Sequence, residues 1–225
     1  MKKIILIIIF ISFIMVYIYG LSQKNSYTNV WNSNKNKEQV IVGIIHEDDS
    51  DIFEDFESKL DSCPIVLRIK ALSSFEFYGR EGRQKVEVIT VLKGEESLKS
   101  GDNIFLTSIQ RTMIKSGDFF MLSTGYTNLM QKDEEYIVFV SGKADTKGFE
   151  ENVYRIYGDD TMFVCPIFQM TDNYNIIEKN KYVYGNDFVL YKDAEECELL
   201  TDSETLLNEF IEIKHNIIEK YKEKK

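Results

Sequence analysis

From Pro64 to Gly142, apolar residues recur at every second position in run after run, and glycines punctuate the runs. A period of two belongs to strands and excludes an amphipathic helix over this stretch. In "PIVLRIKAL", Ile65, Leu67 and Ile69 share one face, with Val66, Arg68 and Lys70 on the other. "RQKVEVITVL" sets Val86, Val88 and Leu92 against Lys85 and Glu87. Its second half, Ile89-Thr90-Val91-Leu92, is apolar on both faces, so another element is expected to cover that end. "DNIFLTSI", "GDFFMLST" and "EEYIVFVSG" supply three more strands, and the last is apolar on both faces and therefore central. "YGREG" and Lys93-Gly94 carry the turn chemistry between them.

Five short strands with a long second strand predict a mainly β chain built on a small OB-like barrel. A short helix is expected just before the first barrel strand, over about 51–61. Ile52, Phe53, Phe56 and Leu60 recur there at helical spacing, Asp51 and Glu54 form a capping pair, and Pro64 stops further helix. Beyond the barrel, "VYRIYG", "MFVCPIF" and "KYVYGNDFVLY" predict added hairpins in an extension over 150–195. The chain closes with an amphipathic α-helix over 201–222. Thr201 and Glu204 make its capping box, and Leu206, Leu207, Phe210, Ile213, Ile217 and Tyr221 make its stripe.

The N-terminus reads "MKKIILIIIFISFIMVYIYG", with two lysines before an uncharged run of 18 residues from Ile4 to Leu21. That length suits a membrane anchor, and the lysines hold the N-terminus inside and place everything after Gly20 outside. A cleaved signal peptide with a secreted product is the alternative. Residues 22–38 are rich in Ser, Asn and Lys and read as a polar tether, so 39–225 form a single extracytoplasmic domain. An abundance of Ile, Lys, Asn and Tyr points to an AT-rich bacterial genome, and the whole to a bacterial surface protein. The chain carries 27 Lys and Arg against 37 Asp and Glu, net −10, and two of its lysines precede the apolar run. Such a body repels phosphate backbones, which excludes nucleic acid as a partner.

The segments "CPIVLRIKAL", "FYGREGRQKVEVITVLKG", "DNIFLTS" and "EEYIVFVSGKA" together resemble the barrel core of the tissue inhibitors of metalloproteinases and netrin-like modules, over residues 63–144. The resemblance implies an OB-type fold. In those inhibitors an N-terminal cysteine offers its free α-amino group to the protease zinc, whereas Cys63 lies inside this chain. Zinc-chelating inhibition is therefore carried over to no residue.

Candidate chemistry is sparse. His46 heads "HEDDSD", but no HExxH motif and no second histidine at ligand spacing accompany it, so no metal site and no cofactor are expected. No G-x-S-x-G occurs. Cys63, Cys165 and Cys197 are too few for a disulfide scaffold, and which pair would bridge, if any, is left open. Tyr154, Tyr157, Tyr182 and Tyr184 alternate on the predicted hairpins and form the candidate binding surface. The expectation is a non-enzymatic, membrane-tethered module that binds a protein or glycan. The alternative is an exported enzyme using Cys63 or an acidic cluster.

Overall fold

The computed structural model describes residues 10–20, 38–78, 81–94, 97–145, 152–158 and 161–222. A helix over 10–20 comes first. Among the described residues no helix is long and apolar enough to cross a membrane. The first nine residues of the expected anchor, and nearly all of the tether, lie outside the described residues.

The strands are β1 Val40–Gly43, β2 Ile65–Ala71, β3 Glu76–Tyr78, β4 Glu81–Lys93, β5 Asn103–Ser116 and β6 Phe119–Ser123. They continue as β7 Glu135–Lys143, β8 Val153–Ile156, β9 Ile167–Gln169, β10 Tyr182–Tyr184 and β11 Phe188–Leu190. The helices after the N-terminal one are a 3-10 turn Glu47–Phe53, α1 Phe56–Ser62, a second 3-10 turn Lys179–Lys181, α2 Tyr191–Ala194 and α3 Glu204–Lys220.

Five strands close into a barrel in the order β2-β4-β5-β8-β7 and back to β2. Every pairing is antiparallel except β5 with β8, which is parallel. That is the strand order of an OB fold. The fifth strand is β8, which the sequence pattern assigned to the extension. "GDFFMLST" instead forms β6, outside the barrel, because β5 is long enough to serve two sheets. The first part of β5 pairs with β4 and β8, and Thr112–Ser116 turn back to pair with β6. From β6 an outer sheet runs β6-β1-β11-β10. "VYRIYG" and "MFVCPIF" do not pair with each other as a hairpin, since β8 and β9 each pair with β7. Only β10 and β11 form the expected hairpin, turning at Gly185, whose φ is 62°.

The barrel interior is filled by Leu67, Ile69, Val86, Val88, Ile104, Leu106, Val138 and Val140. Strand β4 does not keep one parity to its end. Ile69 pairs with Val88 and Arg68 with Thr90, so Ile89 is an extra residue in the ladder. A bulge of this kind exchanges the two faces. Val91 therefore packs into the barrel, and Leu92, placed by alternation beside Val88, packs outside it.

The outer face of β2, β7 and β9 carries Val66, Ile137, Phe139 and Phe168. Helix α3 covers it with Phe210, Ile213 and Ile217, and α1 adds Phe56 and Leu60. Phe168 stacks on Phe210 with ring centroids 5.5 Å apart. The α3 cap is Ser203, whose hydroxyl accepts from Leu206 N–H at 3.3 Å. Thr201, expected as the cap, instead donates to Ile45 O at 2.9 Å and so pins the helix start to the end of β1. The helix expected over 51–61 is broken in two, because Asp55 takes a left-handed φ of 57° between the 3-10 turn and α1. Asp49, rather than Glu54, closes the capping box by accepting from His46 N–H at 2.9 Å.

One charge is enclosed beneath α3. Lys214 is fully buried, and its Nζ donates to Glu198 Oε2 at 2.7 Å and to Thr171 O at 2.7 Å.

Candidate binding cleft

The end of β1, the exit from β6 and the start of β11 meet the bulged middle of β5, and a cleft opens between them. Its larger arm encloses about 660 Å³ and is lined by Ile109, Gln110, Ile114, Met121, Thr124, Phe163 and Phe188, among others. The other arm, of about 570 Å³, holds His46, Asp48, Asp49, Lys179, Tyr182, Asn186, Asp187 and Asp202. Tyr126 lines both, so the two arms lie side by side at this residue.

The junction depends on two successive left-handed residues, Gly125 at φ 63° and Tyr126 at φ 54°. A Cβ on Gly125 would lie 2.8 Å from Cys165 Cβ and 3.0 Å from Gln110 Oε1, so only glycine fits. Gly125 O accepts from both Cys165 N–H and Thr127 N–H at 2.7 Å, which fixes the turn. A tyrosine held in this conformation stores strain of order 1–3 kcal/mol, a cost that clusters at ligand sites.

Apolar side chains in the larger arm face solvent. Phe163 is 59% exposed, Ile114 49% and Ile109 47%. Two polar atoms in its floor lack hydrogen-bond partners, Thr124 Oγ1 and Gln110 Oε1. The Gln110 amide nitrogen is engaged, donating to Met162 O.

The smaller arm is acidic and tightly bonded. His46 Nδ1 lies 3.1 Å from Asp202 Oδ1, and Tyr182 donates its hydroxyl to Asp202 Oδ2. Burial works against charge on Asp202. The hydrogen bonds from Tyr182 and His46, with the charges of His46 and Lys179, outweigh it and hold the carboxyl below its ordinary pKa. Burial, together with the bond to Asp202, pushes the Tyr182 hydroxyl up to about 12. Tyr126 is raised by burial and then by the charges of Asp49 and Asp187. His46 Nε2 has no hydrogen-bond partner and stands 3.5 Å from Asp187 Oδ1.

A histidine fixed by a buried aspartate has the form of a general base. Among the lining residues of this arm none is Ser, Thr or Cys. Among the described residues no three His, Cys, Asp or Glu side chains converge to hold a metal ion.

The four tyrosines do not share a surface. Tyr154 is 5% exposed and points into the barrel, and Tyr157 lies outside it with its hydroxyl 2.8 Å from Ser62 Oγ. Tyr182 lines the acidic arm, and Tyr184 is exposed on the same hairpin, edge-on to Phe188. The cysteines are free, buried thiols in three different core clusters. Cys63 lies within hydrogen-bonding distance of Ile65 O and Val140 O, and burial raises its pKa. Burial and the charge of Glu196 raise Cys197 to about 11. Neither thiol has the depressed pKa of a nucleophile.

Asp202, Tyr126, Gln110 and Thr124 line the cleft and were not singled out in the sequence. The turn signal at Gly185-Asn186-Asp187, the run "MFVCPIF" with its Phe163, and the candidate Tyr182 pointed near it. No protein-family profile matches the chain, and no curated protein sequence is significantly similar to it.

Proposed function

We propose that this chain is a non-enzymatic binding module of a bacterial cell surface, tethered to the membrane by its N-terminal segment, and that it engages a protein partner in the cleft around Tyr126. The carrying observation is exposed apolar surface beside an acidic arm. Apolar side chains left in solvent at a cleft mark a place where a partner buries them. The helix over 10–20 supports the tether, since its side chains are exposed and make no core with the domain. The resemblance to netrin-like modules leads the same way, toward an extracytoplasmic barrel with exposed loops.

The test is affinity capture with the full-length protein, tagged at its C-terminus, after crosslinking on intact cells. Phe163→Asp should remove the captured protein, and Tyr174→Asp, which changes an exposed residue that does not line the cleft, should retain it. A capture profile unchanged by Phe163→Asp sinks the cleft as the binding site. Protease added to wall-free cells should digest the domain; protection until the membrane is permeabilised would overturn its outside placement.

A further inference from the structure

If the cleft is a binding site, its two arms constrain the occupant. The larger arm offers Ile109, Ile114 and Phe163 to solvent, a surface that rewards apolar side chains and not the hydroxyl-covered face of a sugar. The smaller arm sets the charge. Asp48, Asp49, Asp187 and Asp202 line it against Lys179 and His46. Lys179 is drawn toward Asp202 at 3.8 Å, whereas the Asp187 side chain is 72% exposed and no lysine or arginine within described contact neutralises it.

We infer that the cleft takes an extended protein segment in which apolar side chains adjoin a lysine or arginine, the apolar part on Phe163 and Ile109 and the cation beside Asp187. The carboxylates of the arm exclude an anionic headgroup or a nucleic acid from the same place, by charge. They also disfavour a second copy of this chain, which carries a net charge of −10. This inference rests on the cleft being the binding site and adds the chemistry of its ligand.

The experiment measures fluorescence polarisation of the full-length protein with three end-capped peptides. All share a Leu-Ile-Phe block, joined to Lys-Lys, Gln-Gln or Glu-Glu. The Lys probe should bind roughly tenfold tighter than the Gln probe, and the Glu probe weakest of the three. Raising the salt from about 0.05 to 0.5 M should narrow the gap between the Lys and Gln probes. Asp187→Asn, at an exposed turn, should shrink that gap by weakening the Lys probe more than the Gln probe.

Equal binding of the Lys and Glu probes overturns the inference, as does a Lys preference untouched by Asp187→Asn, or no binding of any probe. If the three bind equally and Phe163→Asp abolishes all of it, the charge assignment fails and the cleft remains a binding site. If Phe163→Asp leaves both peptide binding and cell-surface capture unchanged, the cleft itself fails.

Discussion

Lys214→Met should be among the most damaging substitutions outside the apolar core. Lys214 is fully buried, and Glu198 beside it has a side chain 6% exposed. The lysine also reaches Thr171 O at 2.7 Å and stands 3.5 Å from Asp172 Oδ1. The second Glu198 oxygen accepts from Gln169 N–H at 2.8 Å. Methionine fills the volume of the lysine stem but leaves a buried carboxylate with one hydrogen bond, so at pH 7 the expected cost is about 3–5 kcal/mol. Glu198→Gln should cost less, about 1–3 kcal/mol, because an acceptor for Gln169 remains and Lys214 keeps Thr171 and Asp172. The double variant should cost less than the sum of the two single variants.

The pH dependence supplies the sharper test. Burial already raises the Glu198 pKa against the pull of Lys214, and without the lysine that opposing pull is gone. A carboxyl whose folded pKa is raised contributes stability below its unfolded value, near 4.3, and loses it as pH rises through the folded value. The penalty of Lys214→Met, measured against wild type at the same pH, should therefore be largest at pH 7 and ease by about pH 5. Urea denaturation midpoints of the full-length protein at both pH values decide it. A cost below about 1 kcal/mol at pH 7, or an equal cost at both, refutes the account of this pair.

Val88→Ala should cost roughly 1–3 kcal/mol in the same assay, since Val88 is fully buried in the barrel, while Glu87→Ala stays within about 0.5 kcal/mol. Leu92→Ala should lower the midpoint together with truncations of α3 contacts such as Ile217→Ala; a neutral Leu92→Ala would contradict the face exchange at Ile89. Gly125→Ala should cost at least about 2 kcal/mol, from a left-handed φ and the contact with Cys165, and should weaken peptide binding by distorting the junction. Asp202 has a folded pKa below its ordinary value, so its contribution is present above about pH 4 and lost as pH falls through the folded value. The melting temperature of wild type should exceed that of Asp202→Asn at pH 7, and the gap should narrow as pH falls below about 4. A gap that widens on acidification would show that His46 and Tyr182 do not stabilise the carboxylate.

The barrel was legible because inward and outward positions differ in kind. Leu67, Ile69, Val86 and Val88 alternate with Arg68, Lys85 and Glu87, and such contrast survives any placement of neighbouring strands. It failed where both faces are apolar. In Ile89–Leu92 an inserted residue leaves no mark on the pattern, so the exchange of faces was invisible. The short run "VYRIYG" could not tell an inward Tyr154 from an outward one, and so a core residue was counted as surface. The cleft was hidden for a different reason. His46 and Asp202 are 156 residues apart, and they meet where the backbone bond from Ile45 N–H to Leu200 O and the Thr201 hydroxyl bond to Ile45 O join the two segments. Asp202 reads in isolation as an ordinary residue near a helix start, and Thr124 as a loop threonine. The turn residues of β10–β11 were read correctly as a turn, but nothing local says that Asp187 overlooks His46.

The position of β1 has a mechanical consequence. It is the first strand after the N-terminal segment, and Gly43 and Ile44, at its far end, line the cleft. A load applied along the chain before Val40 would thus enter the fold through four residues. Those residues are clamped on one side by β6 in parallel and on the other by β11 antiparallel. From β6 it would pass to Thr112–Ser116 of β5, the strand that also lines the cleft with Ile109 and Gln110. Tension on the tether and occupancy of the cleft would therefore act on the same strands.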